Sequence, residues 1–221
     1  MGKNWYKEKK GEAWYKKAKR EGYRARSAYK LQQIQDKFSV LREGDTVVDL
    51  GAAPGGWSQV AREVVGDQGR VIALDLAPMH GLSGVKFIRG DITHPETITA
   101  VLSTLAADPK GVRVDAVISD MSPDITGNYT MDQANSVFLC QHALNFAKRV
   151  LDVGGRFLVK IFEGEDFPEF RDELKKQFRD VKAFNPPASR KQSSEIYLIG
   201  LSFKGAEAKA SPSPGPASRP S

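Results

Sequence analysis

The chain has one cysteine, Cys140, and three histidines, His80, His94 and His142, among its 221 residues. One cysteine makes no intrachain disulfide, so Cys140 is expected to be a small core residue in a reducing cytoplasm. The histidines are scattered without metal-ligand spacing, and no metal centre is expected. No apolar run approaches the roughly 18 residues needed to span a bilayer. The N-terminus is rich in lysine and lacks an apolar core, unlike a secretory signal. Acidic residues are scarce at this end: residues 1–30 carry eleven Lys/Arg against Glu8, Glu12 and Glu21, net +8, which leaves the rest of the chain near −2. Aliphatic residues are scarce there too, and a membrane-surface helix needs a continuous Leu/Phe face. The arm instead interleaves Trp5, Tyr6, Trp14, Tyr15, Tyr23 and Tyr29 with its cations. Cations neutralise phosphates and aromatic faces stack on bases, so the arm reads as an RNA contact and its bland alternative as a solvated extension.

What is present is a sequence of alternating elements. An arm over residues 1–25 is expected to be extended or weakly helical. A helix follows from Ser27, a candidate N-cap, to about Phe38, with Ala28, Leu31 and Ile34 at helical spacing. Strands are expected at Thr46–Leu50, Arg70–Leu74, Val85–Arg89, Asp115–Ser119 and Arg156–Phe162, the last entered through Gly154-Gly155. Helices are expected at Trp57–Val65, Thr97–Ala107, Met131–Val150 and Phe167–Phe178. Val181–Phe184 and Glu195–Phe203 read as a closing antiparallel pair. This alternation implies an α/β fold with a mostly parallel sheet, an antiparallel edge and helices on both faces. The Pro/Ser/Ala-rich stretch 205–221 supplies no core and is read as a disordered tail.

The segment Val47-Val48-Asp49-Leu50-Gly51-Ala52-Ala53-Pro54-Gly55-Gly56-Trp57 carries the most information. A buried strand enters a turn of small residues and then a helix, an arrangement that admits a bulky ligand to the backbone. Asp49 sits in the strand end, where a carboxylate is costly unless paired. Gly51 and Gly56 stand at the first and third glycine positions of the dinucleotide fingerprint, but Ala53 replaces the second, which admits a pyrophosphate. A nucleoside without phosphates fits better, and S-adenosylmethionine is the candidate. An ordinary tight turn is the competing reading.

Ligands of open α/β sheets bind beyond the carboxyl ends of the strands. Asp75 ends the second strand, where an acid accepts bonds from ribose hydroxyls. Asp91 follows the third, where its carboxylate or backbone can meet an adenine amino group. Either residue alone could simply cap a loop. Asp120 ends the fourth strand, and its bland role is an Asx turn before Pro123. Lys160 lies in the apolar run Phe157-Leu158-Val159-Lys160-Ile161-Phe162, where a lysine is expensive unless it is paired, functional or snorkels to solvent. Glu195 opens the last strand, either as a buried partner for Lys160 or as an exposed edge residue. Lys30 is one of many local lysines.

Together these residues match a family. The chain strongly resembles the FtsJ/RrmJ-like ribose 2′-O-methyltransferases, and within them the ribosomal RNA large subunit methyltransferase E group. The resemblance spans residues from about 20 to 204. It rests on Arg24-Ala25-Arg26-Ser27-Ala28-Tyr29-Lys30-Leu31, Asp49 through Gln59, Ser119-Asp120-Met121-Ser122-Pro123, Leu158-Val159-Lys160 and Ser189-Arg190-Lys191-Gln192-Ser193-Ser194-Glu195. It implies a Rossmann-like, seven-stranded methyltransferase fold. It places a catalytic tetrad on Lys30, Asp120, Lys160 and Glu195, and cofactor contacts on Gly55, Trp57, Asp75, Asp91 and Asp120. The implied domains are an arm over 1–25, a catalytic domain over 26–204 and a tail over 205–221. The implied reaction is 2′-O-methylation of a ribose, taken to be a uridine, in 23S-type RNA by S-adenosyl-L-methionine, leaving S-adenosyl-L-homocysteine. Ribosomal RNA, free or within an assembled large subunit, is the implied partner, with no membrane and no obligate protein partner. Asp124-Ile125-Thr126-Gly127 departs from the Asn-x-Ser-Gly of bacterial members. A tRNA ribose methyltransferase shares the tetrad and remains an alternative. A non-catalytic RNA-binding protein on the same fold is disfavoured by the intact tetrad, and an NAD-dependent oxidoreductase by Ala53. Lys160 would either take the ribose proton or orient the oxygen.

Overall fold

A computed structural model describes residues 13–189 and 194–205. The first twelve residues of the arm, the Arg190-Lys191-Gln192-Ser193 part of the last motif and residues 206–221 of the tail lie outside the described residues. The described residues begin with α1 (13–21), so this part of the arm is helical. Its inner face docks on the body: Ala18 packs with Tyr29 and Ala188, and Trp14 lies 4.9 Å from the Tyr29 ring. Tyr23 also meets Tyr29 edge-on, and its hydroxyl donates to Glu63 at 2.8 Å. Trp14, Tyr23 and Tyr29 therefore attach the arm, whereas Tyr15 remains exposed.

The remaining elements are α2 (Ala28–Phe38), β1 (Thr46–Leu50), α3 (Gly56–Val65), β2 (Arg70–Asp75), β3 (Val85–Arg89) and α4 (Pro95–Ala106). After them come β4 (Val114–Ser119), α5 (Tyr129–Val150), β5 (Leu151–Phe162), α6 (Phe167–Gln177), β6 (Phe178–Phe184) and β7 (Glu195–Phe203). The seven strands form one sheet in the order β3-β2-β1-β4-β5-β7-β6. All pairings from β3 to β5 are parallel, and β7 runs antiparallel to both β5 and β6. Thus β7 inserts between β5 and β6, and β6 forms the edge. Glu195 is not on an edge strand.

The central strands read as two-sided apolar runs because both faces are covered. Every residue of β1 is buried. One face packs Leu50, Leu74, Val117, Val159 and Ile161 against α4 and α5 residues such as Val101, Leu105, Leu144 and Phe146. The other packs Val47, Ile118, Leu158 and Tyr197 against Leu31, Ile34, Trp57 and Val60 of α2 and α3. Strand order reverses between β1 and β4, which opens a crevice at their carboxyl ends. Among the described residues no helix is long and apolar enough to cross a membrane.

Two local expectations change. Ser27 occupies the N-cap position of α2 but has helical backbone angles and makes no side-chain cap bond; its carbonyl instead accepts the Trp57 indole N–H at 2.9 Å. Strand β5 begins at Leu151, before Gly154-Gly155: Leu151 already pairs with Val114, and regular pairing resumes at Ala116 and Arg156 after a register shift. At the amino-terminal ends of the strands, buried Arg156 bonds the Asp45 carboxylate at 2.9 Å.

Candidate active site

The turn after β1 continues the sheet's bonding beyond the strand. Gly51 and Ala52 both donate to Leu74 O, at 2.9 and 3.1 Å. Gly51 has φ +73, and a Cβ there would lie 2.5 Å from Met121 Cγ, so glycine is required by the close approach of the β4 loop. Gly55 has φ +111 and lies under Arg24 and Met79, whose side chains would be 3.1 Å from a Cβ. The Arg24 guanidinium bonds the carbonyls of His80 and Gly81, both at 2.5 Å. It thereby ties the loop after β2 to this turn. Gly55 caps α3, and the first N–H groups of the helix, including that of Trp57, have no intrahelical partner. The Trp57 indole is buried 5.7 Å from the Tyr197 ring, so this residue can meet a ligand only through its backbone.

Asp75 accepts from Ala53 N at 2.8 Å and from Ala77 N at 2.7 Å. Asp91 Oδ1 accepts from the Thr93 N–H and hydroxyl, both at 2.8 Å. Both carboxylates therefore do shape loops, yet each keeps lone pairs for a further donor. The Thr93 N–H, foremost, holds the Asp91 carboxyl below the usual range. Asp49 is fully buried; its Oδ2 accepts the Ser58 hydroxyl at 2.6 Å and its Oδ1 has no hydrogen-bond partner. Burial, aided by the charges of Asp120 and Asp75, pushes its carboxyl up to about 7 against the Ser58 bond. The charges of Asp120 and Asp75 thus both bear on Asp49 around a glycine turn. A ligand with a cationic sulfonium, a cationic amino group and a nucleoside fits this donor set, and S-adenosylmethionine has all three.

The tetrad converges at the carboxyl ends of β4 and β5 and the start of β7, on the face covered by α2. Lys160 is 5% exposed and does not snorkel to solvent. Its Nζ donates to Asp120 O at 2.7 Å and lies 3.2 Å from Asp120 Oδ1. Glu195 is not its partner: Glu195 Oε2 accepts from buried Lys30 Nζ at 2.9 Å. The pairing is decided by α2, which brings Lys30 over the start of β7. Between the two pairs stands Tyr197, which the sequence reading missed. It pairs with Lys160 across the β5–β7 ladder, its hydroxyl donates to Asp120 Oδ1 at 2.8 Å, and Lys30 lies 5.6 Å from its ring centre. Burial first, and then the Asp120 and Glu195 charges, push its phenol well above the usual value, so it stays a donor. Strand alternation gave the available signal, since Tyr197 is two residues past Glu195 and shares its face.

Residues 23–203 match the family described as FtsJ-like methyltransferase. The chain belongs to this family. The match takes in the glycine turn and every tetrad position described above. The chain is 48% identical over 202 residues to the Ribosomal RNA large subunit methyltransferase E of Azoarcus sp. (strain BH72), covering 91% of this chain and 97% of that protein. It is 50% identical over 190 residues to the protein of the same name from Methanothrix thermoacetophila, covering 86% of this chain and 72% of that one. The crystal structure of a protein named as a putative ribosomal RNA methyltransferase, from Plasmodium falciparum, superposes with a TM-score of 0.74 at 28% identity, over 83% of this chain and all of that one. Human Methyltransferase-like protein 13, solved in complex with SAH, shares the fold, with a TM-score of 0.55 at 13% identity over 81% of this chain and 82% of that one.

Proposed function

We propose that this FtsJ-like protein transfers a methyl group from S-adenosyl-L-methionine to a ribose 2′-oxygen, at a uridine, in large-subunit (23S-type) ribosomal RNA. The observation that carries the reading is the pairing of Lys160 with Asp120 at the sheet's carboxyl edge, beside an acid-rich glycine turn. The names of the relatives point to large-subunit ribosomal RNA over tRNA.

In this reading the backbone at Gly55 and Trp57, with Asp75, Asp91 and Asp120, holds the cofactor. When bound, S-adenosylmethionine supplies an electrophilic methyl group on a sulfonium. Asp75 accepts from ribose hydroxyls, and the charges of Asp75 and Asp120 favour the cationic ligand. A ribose hydroxyl is a weak nucleophile until its proton leaves. Lys160, its Nζ donating to Asp120 O and paired with Asp120 Oδ1, faces that hydroxyl and either takes the proton or orients the oxygen and stabilises the developing alkoxide. Asp120 and Tyr197 fix the amine, which matters because in-line displacement is governed by positioning. Lys30, held by Glu195, adds positive charge beside the developing alkoxide. The arm over 1–25 contributes cations for the RNA backbone, the catalytic domain spans 26–204, and the tail over 205–221 has no part in the chemistry. The setting is cytoplasmic, on ribosomal RNA that is free or within an assembled large subunit.

The test is transfer of labelled methyl to large ribosomal subunits from cells lacking the protein, with the modified nucleotide mapped by mass spectrometry. One 2′-O-methylated ribose in the large-subunit RNA is expected. Methylation of tRNA alone, or of a base, would overturn the assignment.

A further inference from the structure

Tyr129 begins α5, immediately after the loop that follows β4. Its side chain is 62% exposed, yet its hydroxyl is fixed, donating to the Glu163 carbonyl at 2.9 Å. Glu163 directly follows β5, and its N–H donates to Ser194 O at 2.8 Å, next to Glu195. The phenol therefore bridges from α5 to the rim formed by the end of β5 and the start of β7. Along β5 the backbone of Lys160 lies three residues from that of Glu163, about 10 Å at the usual strand rise.

The backbone carrying the ring is stiff. Asp132 accepts from the Thr126 N–H and hydroxyl at 2.8 Å and from Gly127 N at 3.3 Å. Asn128 caps α5 by accepting from Met131 N at 3.2 Å. Gln133 Nε2 donates to the same Glu163 carbonyl. The held loop exposes Ile125, and the first turn of α5 exposes Met131, at 65% and 55%. Single exposed apolar residues need no explanation. A ring whose polar end is satisfied by protein, whose face is open and whose backbone is anchored on both sides is preorganised for stacking, because little freedom remains to be lost on binding.

We propose that the Tyr129 ring is the platform on which an unpaired base of the substrate RNA stacks, at the target nucleotide or one position from it. This rests on the ribose-methylation reading. The platform sets the plane of the base, and with it the approach of the attached ribose to Lys160. Cations contact phosphates, whereas this rim offers an apolar face, and every base has a π-face that suits it.

The experiment compares wild type with Tyr129→Ala, Tyr129→Leu and Tyr129→Phe on unmethylated large ribosomal subunits, with cofactor affinity measured separately by calorimetry. Loss of one base–aromatic stack is expected to raise KM for the subunits about tenfold or more in the alanine and leucine variants. Cofactor affinity and melting temperature should stay at wild-type values. The phenylalanine variant keeps the ring and should remain within about twofold of wild type in KM, since the stacking contribution belongs to the aromatic face. Equal impairment of the phenylalanine and alanine variants would overturn the proposal by assigning the effect to the hydroxyl tether. Unchanged KM in the alanine variant would overturn it as well. If wild type itself fails to methylate the subunits, the underlying reading fails, a result distinct from either of these.

Discussion

Lys160 offers the sharpest perturbation. Its Nζ makes two contacts to Asp120, at 2.7 Å to the carbonyl and 3.2 Å to the carboxylate. Lys160→Ala removes both and with them the group facing the substrate oxygen. Loss of a general base is expected to cost about 10²- to 10⁴-fold in kcat, or roughly 3–5 kcal/mol of transition-state stabilisation. There is a structural cost too. Breaking a buried ion pair by removing one partner costs about 3–5 kcal/mol. Asp120 keeps the Tyr197 hydroxyl at 2.8 Å, and its side chain is 16% exposed, so the lower end of that range or less applies. Lys160→Arg separates the contributions. Arginine keeps the charge and can donate to both Asp120 oxygens, but it has no lone pair to accept a proton. Single-turnover methylation of large subunits should be lost in the alanine variant, and in the arginine variant as well where proton abstraction is the role of Lys160, while the melting temperature recovers in the arginine variant. Cofactor affinity should stay near wild type in each, since the cofactor contacts lie mainly at the ends of β1 to β3. Substantial turnover by Lys160→Arg would refute proton abstraction, and near-normal turnover by Lys160→Ala would remove Lys160 from catalysis altogether.

Three further outcomes follow from the site. Asp49 has its carboxyl raised to about 7 in the folded chain, above the ordinary value of 3.8 that the unfolded chain retains, so the ligand-free fold binds the extra proton between these values. Its stability should fall as pH rises from about 4 to about 7 and stay low above that; Asp49→Asn, followed by urea denaturation, should flatten this slope, and an identical slope in the variant would contradict the assignment. Asp75→Ala should weaken cofactor binding by roughly 1.5–3 kcal/mol through loss of a charge-assisted bond, with an added cost from freeing Ala53 N; calorimetry showing unchanged affinity would exclude Asp75 from the site. Deleting residues 1–12 removes Lys3, Lys7, Lys9 and Lys10 while sparing the α1 packing. The salt dependence of RNA binding should flatten by about 0.7 to 0.9 in slope for each phosphate that is no longer neutralised, with cofactor binding unchanged, and an unaltered slope would show the arm to be a solvated extension.

Much of the scaffold was legible because its signals are local. The boundaries Thr46–Leu50, Val85–Arg89 and Glu195–Phe203 came directly from apolar runs bounded by turn residues. Elsewhere the start of β5 was misread: Gly154-Gly155 looks like the turn before a strand, but Leu151 had already paired with Val114 across the sheet. Such a register shift depends on a neighbouring strand and has no local signature. Ser27 was misread similarly, since a favourable N-cap residue type says nothing about the backbone angles that packing against Trp57 imposes.

By itself the sequence determined the alternation of strands and helices, the small-residue turn and the set of polar side chains at strand ends. Each is a property of a few neighbouring residues, through periodicity, missing side chains or the cost of a charge in an apolar run. The tertiary structure alone decided which charges meet. Lys30 and Glu195 are 165 positions apart, and Lys160 and Asp120 are 40 apart. Their partners were settled by α2 crossing the start of β7 and by β4 lying beside β5. The fold likewise sent the Trp57 indole into the core, placed Tyr197 between the two ion pairs and left the Tyr129 ring open at the rim. Composition and spacing name the groups available for chemistry; long-range packing selects their partners, because charge pairing depends on distance in space.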